Sequence, residues 1–272
     1  MAVSANAVPL VRHAPEPTFF GQHGPKIVVA LILAFVSGLV DIVGYLGIFH
    51  FFTAHLTGTT VQLGHSLITH DVTDALVALS IVISFVVGSL AGRSIIEFGS
   101  RRRVQRVASI TLAFEALVLI ATAATHITSI APPYTGLVLL AGAMGLQTAT
   151  LTAIGPLTVH TTFVTGMVNK FAQLLAHLAF RAYDARKARL GPAQNADAAG
   201  ASEAKARRER QEAVFLVLIW LVYVAGAAIG TWSFSVALMH TLWIGAMLLA
   251  ICLAADQFHP LSVEEEREQS ER

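Results

Sequence analysis

Charged residues and cysteine are both scarce in this chain of 272 residues. Only 13% of its residues are charged, whereas soluble domains usually carry about 25%. A soluble fold of this size would lack the charge to cover its surface, so lipid is the expected solvent for most of the chain. The single cysteine, Cys252, excludes an intramolecular disulfide and any metal site built from several cysteines.

Common catalytic and nucleotide-binding motifs are missing as well. The chain contains no Walker A phosphate loop, no Gly-x-Ser-x-Gly nucleophile elbow and no His-Glu-x-x-His zinc motif. Its formal net charge of +1 gives no footprint for nucleic acid. We therefore predict no catalytic residue, no cofactor, no metal and no nucleic-acid partner.

Long apolar stretches dominate the remainder of the sequence. Six of them approach or exceed the roughly 20 residues that a membrane-spanning helix needs. They cover residues 27–50, 75–97, 107–126, 134–154, 213–232 and 236–256. Two further segments, 51–70 and 155–180, are less apolar and are interrupted by Thr, Gly, His and Gln. The sequence predicts an all-α polytopic membrane protein with six transmembrane helices.

Lysine and arginine indicate how these spans are oriented. Basic residues concentrate in 101–106 and 181–210 and flank both termini, whereas the other connections between spans contain none. Cytoplasmic loops are enriched in Lys and Arg, so six spans with both termini inside place every basic connection in the cytoplasm. Eight crossings would put either 101–106 or 181–210 outside. We therefore expect the two interrupted segments to be re-entrant or broken.

The two interrupted segments carry the same polar pattern, which is a Thr, three residues and then Thr-Gly. The motif residues are Thr53, Thr57 and Gly58 in the first segment and Thr161, Thr165 and Gly166 in the second. A second match aligns "VVGSLAG" at 86–92 with "VAGAAIG" at 224–230, and one insertion at 181–210 reconciles the two alignments. Each half then has three spans. The odd number inverts the second half relative to the first, as in many secondary transporters.

The predicted organisation follows from this duplication. Residues 1–26 are a flexible cytoplasmic tail, 27–126 the first membrane repeat and 127–256 the second. Within the second repeat, 181–210 is a basic cytoplasmic insertion made of a helix, a hinge and another helix. Residues 257–272 are an acidic cytoplasmic tail.

Asp41 is the first candidate functional residue, because a carboxylate inside a span costs roughly 3 kcal/mol on insertion scales. It shares one helical face with Ser37 and Tyr45. Two roles stay open. The side chain binds a proton or cation, or it bonds the backbone of the following segment and holds that segment in place.

Glu115 is a second carboxyl group, in the middle of the third span. It belongs to a polar stripe that also contains Thr111, Thr122 and His126. Such a stripe faces protein or water rather than lipid. Proton coupling and a structural hydrogen bond are the two roles that remain open for this residue.

The candidate pathway combines these carboxyl groups with both interrupted segments. Interrupted segments at matching positions of two halves are a pointer to a binding site, although small and polar residues also serve helix packing. Packing is the preferred explanation for Gly88-x-x-x-Gly92 and Gly226-x-x-x-Gly230. The predicted pathway residues are Asp41, Thr53, Thr57, Gly58, Thr59, Glu115, Gln147, Thr148, Thr161, Thr165, Gly166 and Asn169.

Two stretches carry a family resemblance. "SGLVDIVGYLGIFHFFTAHLTGTTVQLGHSL" and "GLQTATLTAIGPLTVHTTFVTGMVNKFAQLLAHL" resemble the YoaK-like family of bacterial membrane proteins of unknown function. The resemblance covers most of residues 27–256. The family's Met-Thr-Gly-Asn-Thr-Val is Leu-Thr-Gly-Thr-Thr-Val at 56–61 here, and its Gly-x-Gln-Asn-Ala is Gly-Leu-Gln-Thr-Ala at 145–149. The resemblance implies a multi-pass protein of the bacterial inner membrane and supplies no substrate.

The predicted function is secondary transport or channelling of a small polar or ionic solute, with proton coupling as an option. One alternative is an integral-membrane enzyme acting on lipid, with the His-rich segment around the first motif as its site. The histidine spacings there differ from the His-x-x-x-His of metal sites. Another alternative is a membrane scaffold that docks partners on the basic loop. The expected partners are membrane lipid and the solute, and a homo-oligomer is compatible with the sequence.

Overall fold

A computed structural model describes residues 18–47, 50–102, 104, 106–128, 133–150, 153–154, 157–159, 161–162, 164–188 and 196–258. Within these residues the chain is almost wholly helical. The helices are α1 (Phe19–Gly47), α2 (Leu56–Thr69), α3 (Val72–Arg101), α4 (Val107–Thr128), α5 (Pro133–Thr150), α6 (Val164–Ala188), α7 (Ala196–Ala237) and α8 (Leu242–Phe258). Strands β1 (Ala153–Ile154) and β2 (Leu157–Thr158) form one short antiparallel pair.

Four described helical segments are long and apolar enough to cross a membrane by length and composition. They are Phe19–Gly47, Val72–Arg101, Val107–Thr125 and Lys205–Gln257. As one straight helix the last segment would measure about 80 Å, against a hydrocarbon core of about 30 Å. It is broken at Leu238, where φ is 50° and a short 3-10 helix separates α7 from α8. This helical architecture agrees with the predicted class.

Some element boundaries differ from the sequence prediction. Helix α1 begins at Phe19 rather than at residue 27, because the Phe19 ring packs on Phe215 and its N–H donates to Gln211 Oε1 at 2.9 Å. Helix α5 ends at Thr150 rather than at residue 154, because the chain then enters the β1–β2 pair. The predicted hinge in the basic stretch lies partly in 189–195, outside the described residues.

Where the structure describes it, the predicted basic insertion, 181–210, is part of two neighbouring helices. Residues 181–188 continue α6, and residues 196–210 form the beginning of α7. An ion pair between Arg181 and Glu209, with 3.3 Å between Nη2 and Oε1, ties the two helices together at this level. The basic residues described in this stretch therefore lie at the end of α6 and near the start of α7.

Both interrupted segments have a non-helical first part and a helical second part. In the first, residues 50–55 are non-helical and α2 starts at Leu56. In the second, the strand pair and a turn at Thr161–Thr162 precede α6, which starts at Val164. Thr57 and Thr165 are thus the second residues of α2 and α6. The two Thr-Gly motifs occupy the same place in the first turn of a helix.

Helix α1 packs along α7, and the two backbones approach closely at three glycines. A Cβ atom added at Gly38 would overlap the carbonyl oxygen of Tyr223, and one at Gly226 would overlap that of Phe35. Gly230 likewise approaches the backbone of Leu39. Glycine at these positions allows the two backbones to touch, as predicted for Gly226 and Gly230.

Helix α3 packs along α5 in the same way. A Cβ atom at Gly88 would overlap the carbonyl oxygen of Gly142, and one at Gly145 would overlap that of Phe85. Two serines of α3 add hydrogen bonds across this contact, from Ser84 Oγ to Val138 O at 2.6 Å and from Ser89 Oγ to Gly145 O at 3.1 Å. The predicted packing role of Gly88 is confirmed.

Helices α4 and α8 form the third helix pair, and a single buried apolar cluster runs through the whole bundle. Leu112 and Leu119 of α4 and Leu249 of α8 are fully buried in this cluster. At one end of the pair, Ser109 Oγ donates to Asp256 Oδ2, and Arg106 bonds Gln257. Each of the three helix pairs therefore joins a helix of the first half to a helix of the second.

Replacing Gly226 by alanine tests the close contact between α1 and α7. The added methyl group meets a backbone carbonyl that cannot move aside, so we expect Gly226→Ala to destabilise the protein by about 1–3 kcal/mol. Thermal unfolding of the purified protein in detergent, followed by circular dichroism, measures this loss.

Gly64→Ala is the matched control, because a Cβ atom there meets nothing within 4 Å. Alanine stabilises a helix by up to about 1 kcal/mol relative to glycine, so this variant should melt at the wild-type temperature or above. Equal melting temperatures for the two variants would contradict the proposed contact.

Candidate functional site

Asp41 connects three separate parts of the chain. The backbone N–H of Thr53, the Thr53 hydroxyl and the backbone N–H of Ala54 donate to its Oδ1 at 3.0, 2.7 and 2.7 Å. The hydroxyl of Tyr223, on α7, donates to its Oδ2 at 2.6 Å. The carboxylate is buried. Because four donors surround it, its charge is well compensated without any basic side chain.

The second half of the chain contains a neutral polar cluster around its own interrupted segment. The Nε2 atom of Gln147, on α5, lies 2.9 Å from Leu33 O, 2.8 Å from Ser37 Oγ and 3.1 Å from Thr161 Oγ1. The hydroxyls of Thr148 and Thr162 are 2.7 Å apart. These bonds attach the second non-helical segment to α5, and they attach α5 to α1.

A cavity of about 290 Å³ lies between the two interrupted segments. Its lining comes from both halves of the chain. The first half contributes Asp41, Ala54, His55, Leu56, Thr57 and Phe85, and the second contributes Thr148, Thr162, Val164, Thr165 and Tyr223. Most of the lining area is apolar, and seven of the eleven lining residues add a polar side-chain group. A concave, largely apolar surface with convergent polar groups is typical of small-molecule sites.

Helices α2 and α6 both begin at this cavity. Leu56 and Val164, their first residues, belong to the lining, and so do Thr57 and Thr165. His55 occupies the N-cap position of α2 and makes no side-chain capping bond. The positive ends of two helix dipoles therefore converge on the same space. Among the described residues that line the cavity there is one carboxylate and no Lys or Arg.

The structure brings most of the predicted pathway residues to this place. Asp41, Thr57, Thr148 and Thr165 line the cavity. Three others are buried and do not line the cavity. These are Thr53, Gln147 and Thr161. Thr53 bonds the lining residue Asp41. Gln147 bonds Thr161, the chain neighbour of the lining residue Thr162.

The other predicted residues do not line the cavity. Thr59 is buried and its hydroxyl bonds the carbonyl oxygen of His55, 3.3 Å away. Gly58, Gly166 and Asn169 lie further along α2 and α6, and Asn169 is exposed. Gly58, Gly166 and Asn169 are therefore outside the cavity lining, although they belong to the helices that begin at the cavity.

Glu115 also lies away from the cavity. It is fully buried on α4, and neither carboxylate oxygen has a hydrogen-bond partner among the described residues. It lies close enough to interact electrostatically with the thiol of Cys252 on α8. Thr111 and Thr122, its neighbours on the predicted stripe, bond their own helix backbone. The side chain of His126 lies outside the described part of the structure.

Sequence reasoning missed several lining residues, of which Tyr223 is the most consequential. The alignment of "VVGSLAG" with "VAGAAIG" contained the signal, because it places Phe85 opposite Tyr223. Ala54 and Thr162, which also line the cavity, directly follow the predicted residues Thr53 and Thr161 in the sequence. His50 and His55, which belonged to the enzyme alternative, contact the rings of Tyr45 and Phe52. The described residues include no group of three potential metal ligands.

Comparison with known proteins identifies one family. The family model described as "Protein of unknown function (DUF1275)" matches residues 29–255. The UPF0700 transmembrane protein YoaK of Bacillus subtilis (strain 168) is 26% identical over 153 residues, which cover 56% of this chain and 67% of the Bacillus protein. No solved structure matches the chain.

These matches confirm the resemblance that the two motif-bearing stretches indicated. The family model extends from residue 29, within α1, to residue 255, within α8, and therefore includes both interrupted segments and the cavity between them. The apolar helices agree with the transmembrane description of the Bacillus relative. This chain is a helical membrane protein that belongs to the DUF1275 family, the YoaK-like proteins.

Proposed function

We propose that this protein is a secondary transporter or channel for a small polar or ionic solute, which binds in the cavity between the two Thr-Gly segments. The observation that carries the proposal is the equivalence of the lining residues. Thr57 and Thr165 are the second residues of α2 and α6. A solute site shared by matching elements of two halves is the arrangement found in transporters built from repeats.

The proposal includes six membrane crossings arranged as two inverted repeats of three. Helices α1, α3 and α4 form the first repeat and α5, α7 and α8 the second. Two contacts support this equivalence. Gly38 meets the backbone of Tyr223 and Ala227, and Gly145 meets that of Phe85 and Ser89. The motif alignment pairs these partners, Phe85 with Tyr223 and Ser89 with Ala227.

Within this arrangement α2 and α6 are half-helices that start at the cavity and leave it in opposite directions. Irregular backbone at membrane depth is stable only where it is buried in protein or lines a water-filled space. The bonds that Asp41 and Gln147 make to the non-helical segments meet this requirement. With both termini in the cytoplasm of a bacterial inner membrane, the cavity lies between the two aqueous phases.

The lining favours a small solute that accepts or exchanges hydrogen bonds. Hydroxyl groups of Thr57 and Thr165 and the first-turn N–H groups of α2 and α6 point to such contacts. The Asp41 carboxylate already has four donors. It acts in this proposal as a clamp on the first segment rather than as the main ligand of a cation.

Glu115 is the proposed proton carrier. A fully buried carboxyl group without hydrogen-bond partners among the described residues costs much less free energy neutral than ionised. It lies on α4, which packs against α8 of the other repeat. Gain or loss of a proton at Glu115 would change the free energy of the contact between the two repeats. Through that contact, Glu115 would influence the cavity without lining it.

The cavity hypothesis predicts a specific effect of removing the motif hydroxyls. In proteoliposomes assayed with a panel of small ions, polyols and amino acids, Thr57→Val and Thr165→Val should each raise the KM for the accepted solute about fivefold. That factor corresponds to one lost hydrogen bond of about 1 kcal/mol.

Thr60→Val is the matched control. Thr60 is exposed on the same helix, and its hydroxyl bonds the backbone oxygen of Leu56 at 2.8 Å. The KM of the Thr60→Val variant should equal that of the wild type. Uptake that is absent from the wild-type protein for every solute in the panel, or equal KM values for all three variants, would count against a solute site in the cavity.

A second prediction separates a clamp from a ligand at Asp41. Tyr223→Phe removes the donor to Oδ2 and leaves three donors at Oδ1. For a clamp, this variant loses about 1.5–3 kcal/mol of stability, because the lost hydrogen bond involves a charged group. Its KM stays within about twofold of the wild-type value. Thermal unfolding and uptake assays on the same preparations measure both quantities.

Tyr45→Phe serves as the control for this change. The Tyr45 ring stacks on Phe52 with 4.7 Å between centroids, and its hydroxyl has no hydrogen bond to any described residue. It should melt like the wild type. A large change in KM without loss of stability in Tyr223→Phe would instead make Asp41 a solute ligand.

A third prediction concerns proton coupling. Glu115→Gln keeps the size of the side chain but cannot exchange a proton, so uptake driven by a pH gradient should be lost. Solute exchange at equal pH on both sides should continue, and the melting temperature should not fall. Glu97→Gln, which alters an exposed ion pair with Arg101, is the control and should keep its pH dependence. Unchanged gradient-driven uptake in Glu115→Gln would exclude the coupling role.

A further inference from the structure

An apolar groove of about 430 Å³ lies between α6 and α7, apart from the cavity. Its α6 wall includes Leu175 and Leu178, and its α7 wall includes Val214 and Leu218. Leu175 and Val214 are about half exposed. The groove therefore opens on the outer surface of the bundle, where the solvent of the apolar helices is lipid.

One end of this groove is basic. Arg210 lines it, and the other α7 residues of the lining follow Arg210 on the same helical stripe. The stripe from Arg210 to Leu218 is about 12 Å long at 1.5 Å per residue. Beyond Arg210, towards the start of α7, lie Lys205 and Arg207, which are both exposed. The groove thus changes along its length from a cationic end to a purely apolar one.

Arg210 has no ion pair with a described residue, unlike Arg181 and Arg208. Arg181 pairs with Glu209, and Arg208 pairs with Glu212, each at 3.3 Å. The nearby carboxylates are therefore engaged by other side chains. An exposed guanidinium at the mouth of an apolar groove fits an anion that is attached to an apolar chain.

We propose that this groove binds an anionic phospholipid. The phosphate accepts hydrogen bonds from Arg210, and an acyl chain lies along Leu178, Val214 and Leu218. Guanidinium groups bind phosphate in a fixed, two-pronged geometry. Basic pockets between helices at the cytoplasmic side of a membrane hold anionic headgroups. The lipid would join α6 to α7 where their own contact leaves an open channel.

Native mass spectrometry of the full-length protein tests this proposal. The protein is purified in detergent and incubated with either dioleoylphosphatidylglycerol, which is anionic, or dioleoylphosphatidylcholine, which is zwitterionic. We expect one tightly retained phosphatidylglycerol. In Arg210→Gln its retention should fall about fivefold, the factor that corresponds to about 1 kcal/mol for one basic residue at the membrane surface.

Two further variants sharpen the test. Arg207→Gln removes the same charge from the same helix outside the groove lining, and should retain phosphatidylglycerol like the wild type. Val214→Trp fills the groove without changing charge, and should lose the retained lipid.

Three outcomes would overturn the proposal. Equal losses in Arg210→Gln and Arg207→Gln would indicate a general field of basic residues rather than a site. Equal retention of both lipids by the wild type would remove the role of the phosphate. A change of oligomeric state in Val214→Trp with unchanged lipid retention would make the groove a contact between copies of this chain.

Discussion

The four donors around Asp41 are the interaction on which the candidate site depends. Residues 50–55 are not helical, so their N–H and C=O groups lack the internal partners that lipid requires of a spanning segment. One oxygen of Asp41 takes up two of these N–H groups and the Thr53 hydroxyl, and the other oxygen takes the Tyr223 hydroxyl. A single side chain thereby fixes the first segment to α1 and α1 to α7. The position of the α2 N-terminus at the cavity follows from that attachment.

The second half meets the same structural need with neutral groups. Gln147 contacts Thr161 and α1, and Thr148 contacts Thr162. Gly38 and Gly145 make equivalent backbone contacts, and Asp41 follows the first by three residues as Thr148 follows the second. In the proposed repeat, this equivalence places a carboxylate in one half opposite a hydroxyl in the other. The cavity is therefore symmetric in the elements that build it and asymmetric in charge. Under the proposed duplication, the two halves share a scaffold and place different chemical groups at the cavity.

The helices and the existence of two special segments were predictable from the sequence, because apolar runs and their interruptions are local features. The six apolar stretches correspond to α1, α3, α4, α5, α7 and α8. The open alternative at Asp41, bonding to the following backbone, describes the contacts found. Contacts between distant residues were not predictable in the same way. Phe19 extends α1 because of Phe215, and Tyr223 reaches Asp41 across the bundle. Polarity alone places Glu115 among the predicted pathway residues. In the structure it lies on α4, away from the cavity lining.

The glycine contacts have a consequence for how such a bundle would change shape. The backbones of α1 and α7 approach closely at Gly38 and Gly226, and those of α3 and α5 approach closely at Gly88 and Gly145. Each of these helix pairs contains one helix from the first half of the chain and one from the second. We expect α1 with α7, and α3 with α5, to stay together in any rearrangement of the bundle, and neither pair is a stretch of contiguous sequence. The closely packed helix pairs therefore do not coincide with the two halves of the chain.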